Sequence, residues 1–159
     1  MPLVLIVDDN PENLTVIGEL LQPHHAVRAA NSGRRALHLA RLDPQPDLIL
    51  LDVMMPEMDG YEVLRALRAD PATATIPVVF LTALNGSEDE ERGLMQGAVD
   101  YITKPIRPPV LLARVRTQLA QKQASDALRR QLALLVAQVA HEQARCRQLE
   151  ALAARAQRP

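Results

Sequence analysis

Apolar residues along this chain follow two alternating rhythms: short unbroken runs, and longer stretches at helical spacing. Leu3 to Val7 is an unbroken run of Leu, Ile and Val that ends in Asp8-Asp9, the pattern of a strand buried on both faces of a parallel sheet. Asn10-Pro11-Glu12 predicts a helix start, with Asn10 as cap and Pro11 at the first helical position. Leu14, Ile17, Leu20 and Leu21 follow at helical spacing until Pro23 stops the helix. Ala26 to Ala29 predicts a second strand, and Ser32-Gly33 opens a helix with Ala36, Leu37, Leu39 and Ala40 inward. Asp43-Pro44-Gln45-Pro46 is a loop into Leu48-Ile49-Leu50-Leu51, a third buried run that meets a carboxylate, Asp52. Behind it, Met55-Pro56 and Asp59-Gly60 turn the chain into a helix carrying Tyr61, Val63, Leu64 and Leu67. Ile76 to Leu81 is a fourth strand ending in Thr82-Ala83. After a loop, the acidic Ser87 to Glu91 begins a helix with Leu94 and Met95, charges that a helix N-terminus favours. Gly97 to Ile102 predicts a short fifth strand ending in Thr103-Lys104-Pro105.

Five strands alternating with helices imply a doubly wound α/β fold with a parallel sheet and right-handed crossovers. In such a sheet all carboxyl ends lie on one edge, where ligands bind. Taken singly, Asp52 reads better as a residue that merely ends a strand or caps a turn. Together, strands one, three, four and five bring Asp8-Asp9, Asp52, Thr82 and Lys104 to that edge. Three carboxylates gathered there repel by roughly 4 kcal/mol per pair at 4 Å and an effective dielectric near 20. The cluster therefore calls for a cation, and hard, oxygen-liganded Mg2+ suits it. Lys104 adds a point charge for an anion and Thr82 a hydroxyl donor, the parts needed to move a phosphoryl group.

Charge divides the chain further. Residues 1–105 carry 8 Lys/Arg against 16 Asp/Glu, and residues 106–159 carry 10 against 3. An acidic body thus precedes a basic tail, an asymmetry that suggests two parts with different jobs. Phe80, Tyr61 and Tyr101 are the only aromatics, too few for a base-stacking platform, so no nucleic-acid partner is expected. The single Cys146 excludes an intrachain disulfide and fits a reducing compartment. The N-terminal Met-Pro-Leu-Val-Leu-Ile-Val lacks a basic leader and runs into two aspartates. It is read as neither signal peptide nor membrane span, and a cytoplasmic location is expected. His24, His25, His38 and His141 lack metal-ligand spacing and read as surface or cap residues.

Asp8-Asp9, Asp52 with Met55-Pro56 and Asp59-Gly60, Thr82-Ala83 and Lys104-Pro105 occur in the order and on the strand ends of a known family. Residues 3 to about 118 resemble the receiver domain of a two-component response regulator. The resemblance implies the flavodoxin-like strand order 2-1-3-4-5 and makes Asp52 the acceptor of phosphate from a histidine kinase or phosphotransfer protein. It implies Mg2+ held by Asp9, Asp52 and the Met54 backbone carbonyl, with Asp8 assisting through water. Lys104 would pair with the phosphoryl group, and the Lys104-Pro105 bond would be cis. Thr82 and Tyr101 match the family's switch pair, which reshapes the face made by the fourth helix, fifth strand and fifth helix. Viewed without the family, Tyr101 is an aromatic packed in a short strand. Magnesium phosphatases with an Asp nucleophile place a second Asp two residues on as general acid; here that position is Met54, which counts against that enzyme class. No catalytic output is expected beyond the receiver's own phosphorylation and dephosphorylation.

The expected receiver spans residues 1–120 and a helical coiled-coil stalk or linker spans 121–159. Pro108-Pro109 introduce the receiver's closing helix, with Val110, Leu111, Leu112, Val115 and Leu119. Leu128, Leu132, Leu135, Val139, Glu142, Cys146, Leu149 and Ala153 then step by alternating four and three, a heptad seam with one charged intrusion at Glu142. The two stretches are out of step, which places a register shift around Gln121 to Ala127. A homodimer through this helix is expected; a polar solvated helix or frayed linker is the alternative. Asn13-Leu14-Thr15, Asp100 to Ile106 and the helical extension are most similar to receivers that precede HD-type cyclic-di-GMP phosphodiesterase domains. The tail itself has no His-Asp metal pair and no Gly-rich cyclase motif, so a missing C-terminal output domain is one expectation and a stand-alone receiver the other. The rival reading from another class is a receiver-like coiled-coil interaction scaffold in which phosphorylation is secondary.

Overall fold

A computed structural model describes residues 1–83 and 87–159, with residues 87–90 described by their backbone alone. The chain divides into two units, Met1–Lys122 and Gln123–Pro159. Strands β1 (Leu3–Val7), β2 (Ala26–Ala30), β3 (Leu48–Asp52), β4 (Val78–Thr82) and β5 (Asp100–Thr103) alternate with helices α1 (Pro11–Leu21), α2 (Gly33–Arg41), α3 (Gly60–Ala69) and α4 (Ser87–Met95), and α5 (Pro108–Ala156) closes the sequence. All strand pairs are parallel, in the order β2-β1-β3-β4-β5. The doubly wound parallel sheet expected from the pattern is formed, with the flavodoxin-like strand order that the resemblance implies.

Strands β1, β3 and β4 are buried along their whole length, because helices cover both faces of the sheet. On one face Leu5, Val7, Ile49, Leu51, Val78 and Phe80 meet Ala36 and Ala40 of α2 and Val63, Leu64 and Leu67 of α3. On the other, Val4, Ile6, Leu48, Leu50, Val79 and Leu81 meet Ile17 and Leu21 of α1 and Leu111, Val115 and Leu119 of α5. Alternate residues of one strand therefore feed opposite layers, the period-two geometry of a pleated strand.

Helix starts follow local chemistry. Asn10 Oδ1 accepts the Glu12 N–H at 2.9 Å and Pro11 opens α1. Asp59 and Glu62 form a reciprocal capping box at α3, with Glu62 N–H to Asp59 at 2.9 Å and Asp59 N–H to Glu62 at 2.8 Å.

The second strand runs one residue further than expected, to Ala30, and two strand starts depart from the pattern. The fifth strand begins at Asp100 rather than Gly97. Gly97 has φ +102° and its N–H donates to the Leu94 carbonyl, so it ends α4 as a left-handed cap that favours glycine. The fourth strand begins at Val78, because the Ile76 N–H closes a turn onto the Thr73 carbonyl. The loop after Ala83 and the side chains of residues 87–90 in the acidic stretch expected at the start of α4 lie outside the described residues, and Glu91 is exposed. Within the second unit, residues 127–159 are exposed throughout.

Candidate phosphoacceptor site

The strand register sets the site. Val7 pairs with Leu51, and Asp52 with Leu81, so the residues following β1, the last residue of β3 and the last of β4 share the carboxyl edge. One carboxylate oxygen each from Asp8, Asp9 and Asp52 lie within 4.8 Å of one another. Asp8 and Asp52 are buried and Asp9 is exposed, so the cluster has a floor and a solvent-facing rim. Lys104 reaches across from the segment after β5, with Nζ 2.9 Å from Asp8 Oδ2 and 3.2 Å from Asp52 Oδ1. The Lys104-Pro105 bond is cis, as expected, and Asp43-Pro44 is a second cis bond that the pattern did not suggest.

Burial, followed by the neighbouring charge of Asp8, raises the Asp52 carboxyl from 3.8 to about 6, and Lys104 opposes part of that rise. Burial also works against the Lys104 ammonium, but the hydrogen bond to Asp8 and the charges of Asp52 and Asp8 outweigh it, and its pKa lies above the ordinary lysine value. The turn behind β3 holds Asp52 from the back. The Gly60 N–H donates to the Val53 carbonyl at 2.9 Å, and a Cβ on Gly60 would lie 2.5 Å from the Asp52 carbonyl oxygen and 2.9 Å from Val53 Cα. Only glycine lets α3 begin this close to the strand end. Glu57, in the same turn, has φ 66°. Met54, whose carbonyl was the expected metal ligand, has an exposed side chain, and its N–H lies 3.4 Å from Asp52 Oδ1.

Thr82 is buried at the end of β4 opposite Thr103. Tyr101 is half-buried opposite Phe80 and packs at the margin of the core layer that contains it. Thr82 and Tyr101 line one small cleft together with Val53, Tyr61, Phe80 and Gly93. Tyr61 and Phe80 meet edge to face at 5.3 Å, and the Arg92 guanidinium lies 4.6 Å above the Tyr61 ring.

The pattern did not disclose how Asp8 is held. Its Oδ1 accepts the Asn10 N–H at 2.9 Å, and its Oδ2 accepts Asn13 Nδ2 at 3.0 Å as well as Lys104 Nζ. Asn13 sits three residues beyond the Asn10 cap on the first turn of α1, and that helical spacing is the only sequence signal of the contact.

A buried β3 aspartate, a carboxylate pair after β1, a β4 hydroxyl and a shared ammonium lie at one edge of a 2-1-3-4-5 sheet, the arrangement of a response regulator receiver. Residues 4–116 match the response regulator receiver domain, and the chain belongs to that family. Its relatives include a probable cyclic di-GMP phosphodiesterase of Vibrio cholerae, 45% identical over 125 residues that make up 79% of this chain and 28% of that protein. The response regulator PleD of Caulobacter vibrioides is 46% identical over 127 residues, again 79% of this chain and 28% of the relative. Protein PilH of Pseudomonas aeruginosa is 37% identical over 76% of this chain and 99% of its own length. The chain thus spans little more than a quarter of the first two relatives and nearly all of the third. Among solved structures, a response regulator from Chloroflexus aurantiacus superposes with a TM-score of 0.71 at 35% identity, over 76% of this chain and 99% of that one. The chemotaxis protein CheY4 of Vibrio cholerae superposes at 0.69 and 32% identity, over 74% and 98%. Among the described residues no helix is long and apolar enough to cross a membrane.

Proposed function

We propose that this receiver accepts a phosphoryl group on Asp52 from a histidine kinase or phosphotransfer protein and converts it into a change of its α4, β5 and α5 face. The observation that carries the reading is Asp52 buried at a strand end with the Lys104 ammonium 3.2 Å away and two further carboxylates within 4.8 Å. An Asp52 oxygen attacks the phosphorus of a phosphohistidine. The new P–O bond forms as the P–N bond breaks, and the departing imidazole keeps the electron pair and takes up a proton. Lys104 pairs with the phosphoryl oxygens, and Thr82 donates its hydroxyl to one of them. Tyr101 then turns toward the cleft it shares with Thr82, which is how the site reaches the outer face.

The donor set of three carboxylates, oxygen only, suits a hard divalent cation. Asp9, Asp52 and the Met54 carbonyl would hold Mg2+ with Asp8 acting through water, and when bound the ion would supply charge neutralisation at the transferring oxygens. We further assign residues 1–120 to the receiver and 121–159 to a helical stalk that pairs with a second copy. Support for the stalk is the exposed apolar seam of Leu128, Leu132, Leu135, Val139 and Leu149, a face that a lone helix in water leaves unburied. The chain serves as a cytoplasmic switch, with no catalysis beyond its own aspartyl phosphate. The scaffold reading shares the stalk and differs only in making phosphorylation secondary.

Incubation with acetyl phosphate and Mg2+ tests the assignment. The parent should acquire an acid-labile phosphate that Asp52→Asn abolishes. Equal labelling of Asp52→Asn, through Asp8 or Asp9, would show that Asp52 is not the acceptor.

A further inference from the structure

We propose that Asn13 is a positioning residue for phosphoryl transfer: by occupying Asp8 it keeps Lys104 shared with Asp52. This inference rests on the phosphoacceptor reading of Asp52 and adds to it a residue outside the carboxylate, hydroxyl and lysine set. Asp8 is fully buried, so each of its lone pairs must find a donor within the protein or a cation. Among the described residues three donors reach it. The Asn10 N–H takes Oδ1, while Asn13 Nδ2 at 3.0 Å and Lys104 Nζ at 2.9 Å converge on the same oxygen, Oδ2. Lys104 is at the same time 3.2 Å from Asp52 Oδ1. The ammonium is therefore held between two carboxylates, and the balance depends on how strongly each pulls.

Asn13 weighs on one side of that balance. Its amide bonds at 3.0 Å to the same Asp8 oxygen that Lys104 contacts, whereas the Met54 N–H reaches Asp52 Oδ1 only at 3.4 Å, so Asn13 spends part of the Asp8 negative charge that would otherwise act on Lys104. Without that donor, Asp8 Oδ2 has a lone pair to satisfy, and among the described residues the donor left on that oxygen is the Lys104 ammonium, which can move. Lys104 is then drawn toward Asp8 and away from Asp52, where the phosphoryl group arrives. The geometry is available because Asn13 stands on the first turn of α1, whose start is set by the Asn10 cap and Pro11, and the Asn10 backbone already fixes the other Asp8 oxygen. Asp8 is thus clamped from one short helical turn, and Lys104 is positioned through it.

The test uses the full chain, acetyl phosphate with Mg2+, and the fact that the chain has only two lysines, Lys104 and Lys122. Asn13→Ala is well tolerated in a helix and removes only the donor. Uptake of acid-labile phosphate by Asn13→Ala should slow about tenfold, the scale set by one hydrogen bond to a charged group. In lysine-labelled protein without phosphodonor, the Lys104 side-chain NMR signal should move in Asn13→Ala while that of Lys122 stays in place. A helix that merely lost stability would not select one lysine. In a Lys104→Ala background the residual uptake should be indifferent to Asn13→Ala. Parental uptake in Asn13→Ala, an unmoved Lys104 signal, or the same slowing with Lys104 removed each overturns the role of Asn13. A parent that takes up no phosphate refutes the acceptor reading instead, so the two failures are distinct.

Discussion

Replacing Asp52 by Asn should stabilise the metal-free protein, and the pH dependence of the gain identifies its cause. The folded protein holds the Asp52 carboxyl at about 6 against the ordinary 3.8, chiefly through burial and then through Asp8. A group whose folded pKa is raised binds its proton more tightly folded than unfolded, so stability falls as pH rises from 3.8 through about 6. Below that window both states are protonated and no penalty exists; above it both are ionised and the penalty is complete. At about 1.36 kcal/mol per pKa unit, the rise costs the folded state about 3 kcal/mol near neutrality. Asn has the same shape and no charge at any pH, and Lys104 keeps its 2.9 Å contact with Asp8. Near pH 7 in chelator, Asp52→Asn should therefore unfold at roughly 1–3 M higher urea than the parent, for a typical urea slope. At about pH 3.5 the two should nearly coincide, since Asp52 is then largely protonated in both the folded and the unfolded parent. Tyrosine fluorescence is a suitable probe because Tyr61 and Tyr101 both belong to the Met1–Lys122 unit. Saturating Mg2+ should narrow the neutral-pH gap by binding the folded parent more tightly than the variant. Identical midpoints near pH 7 without metal, or a gap that persists unchanged at low pH, would refute the argument that an ionised Asp52 is the source of the instability.

Two further outcomes follow from other parts of the molecule. Gly60→Ala should lower stability by about 1–3 kcal/mol and slow phosphate uptake, because its Cβ would meet backbone atoms of Asp52 and Val53 that no rotamer change can clear; urea midpoints equal to the parent's would contradict this. For the stalk, mild oxidation should give a Cys146-linked dimer on a non-reducing gel if two copies pair in parallel and in register, since equivalent core positions then face each other. Leu135→Asp should abolish the linkage, and a chain that sediments as a monomer would remove the dimeric stalk.

The sheet and the floor of the site were legible in the sequence because they rest on short-range rules. Unbroken apolar runs ending in Asp8-Asp9, Asp52 and Thr82 follow from strands buried on both faces, and parallel strands place their ends on one edge whatever the loops do. The cap at Asn10 was equally local, since it needs only a side chain and a backbone N–H two residues on. The start of the fifth strand was not legible. Gly97 lies next to apolar residues that read as strand, and only the packing of α4 onto Phe80, with the Gly93 backbone against the ring, sets where the helix ends and makes Gly97 its left-handed cap. The charge balance of the site was likewise beyond the pattern. Asp8, Asn13, Asp52 and Lys104 are distant in sequence as a set, and that one oxygen of Asp8 accepts both Asn13 and Lys104 depends on the strand register, the tilt of α1 and the path after β5. Spacing can say which residues share an edge, but division of one ammonium between two carboxylates is settled at the scale of tenths of an ångström, where only the packed structure has a value.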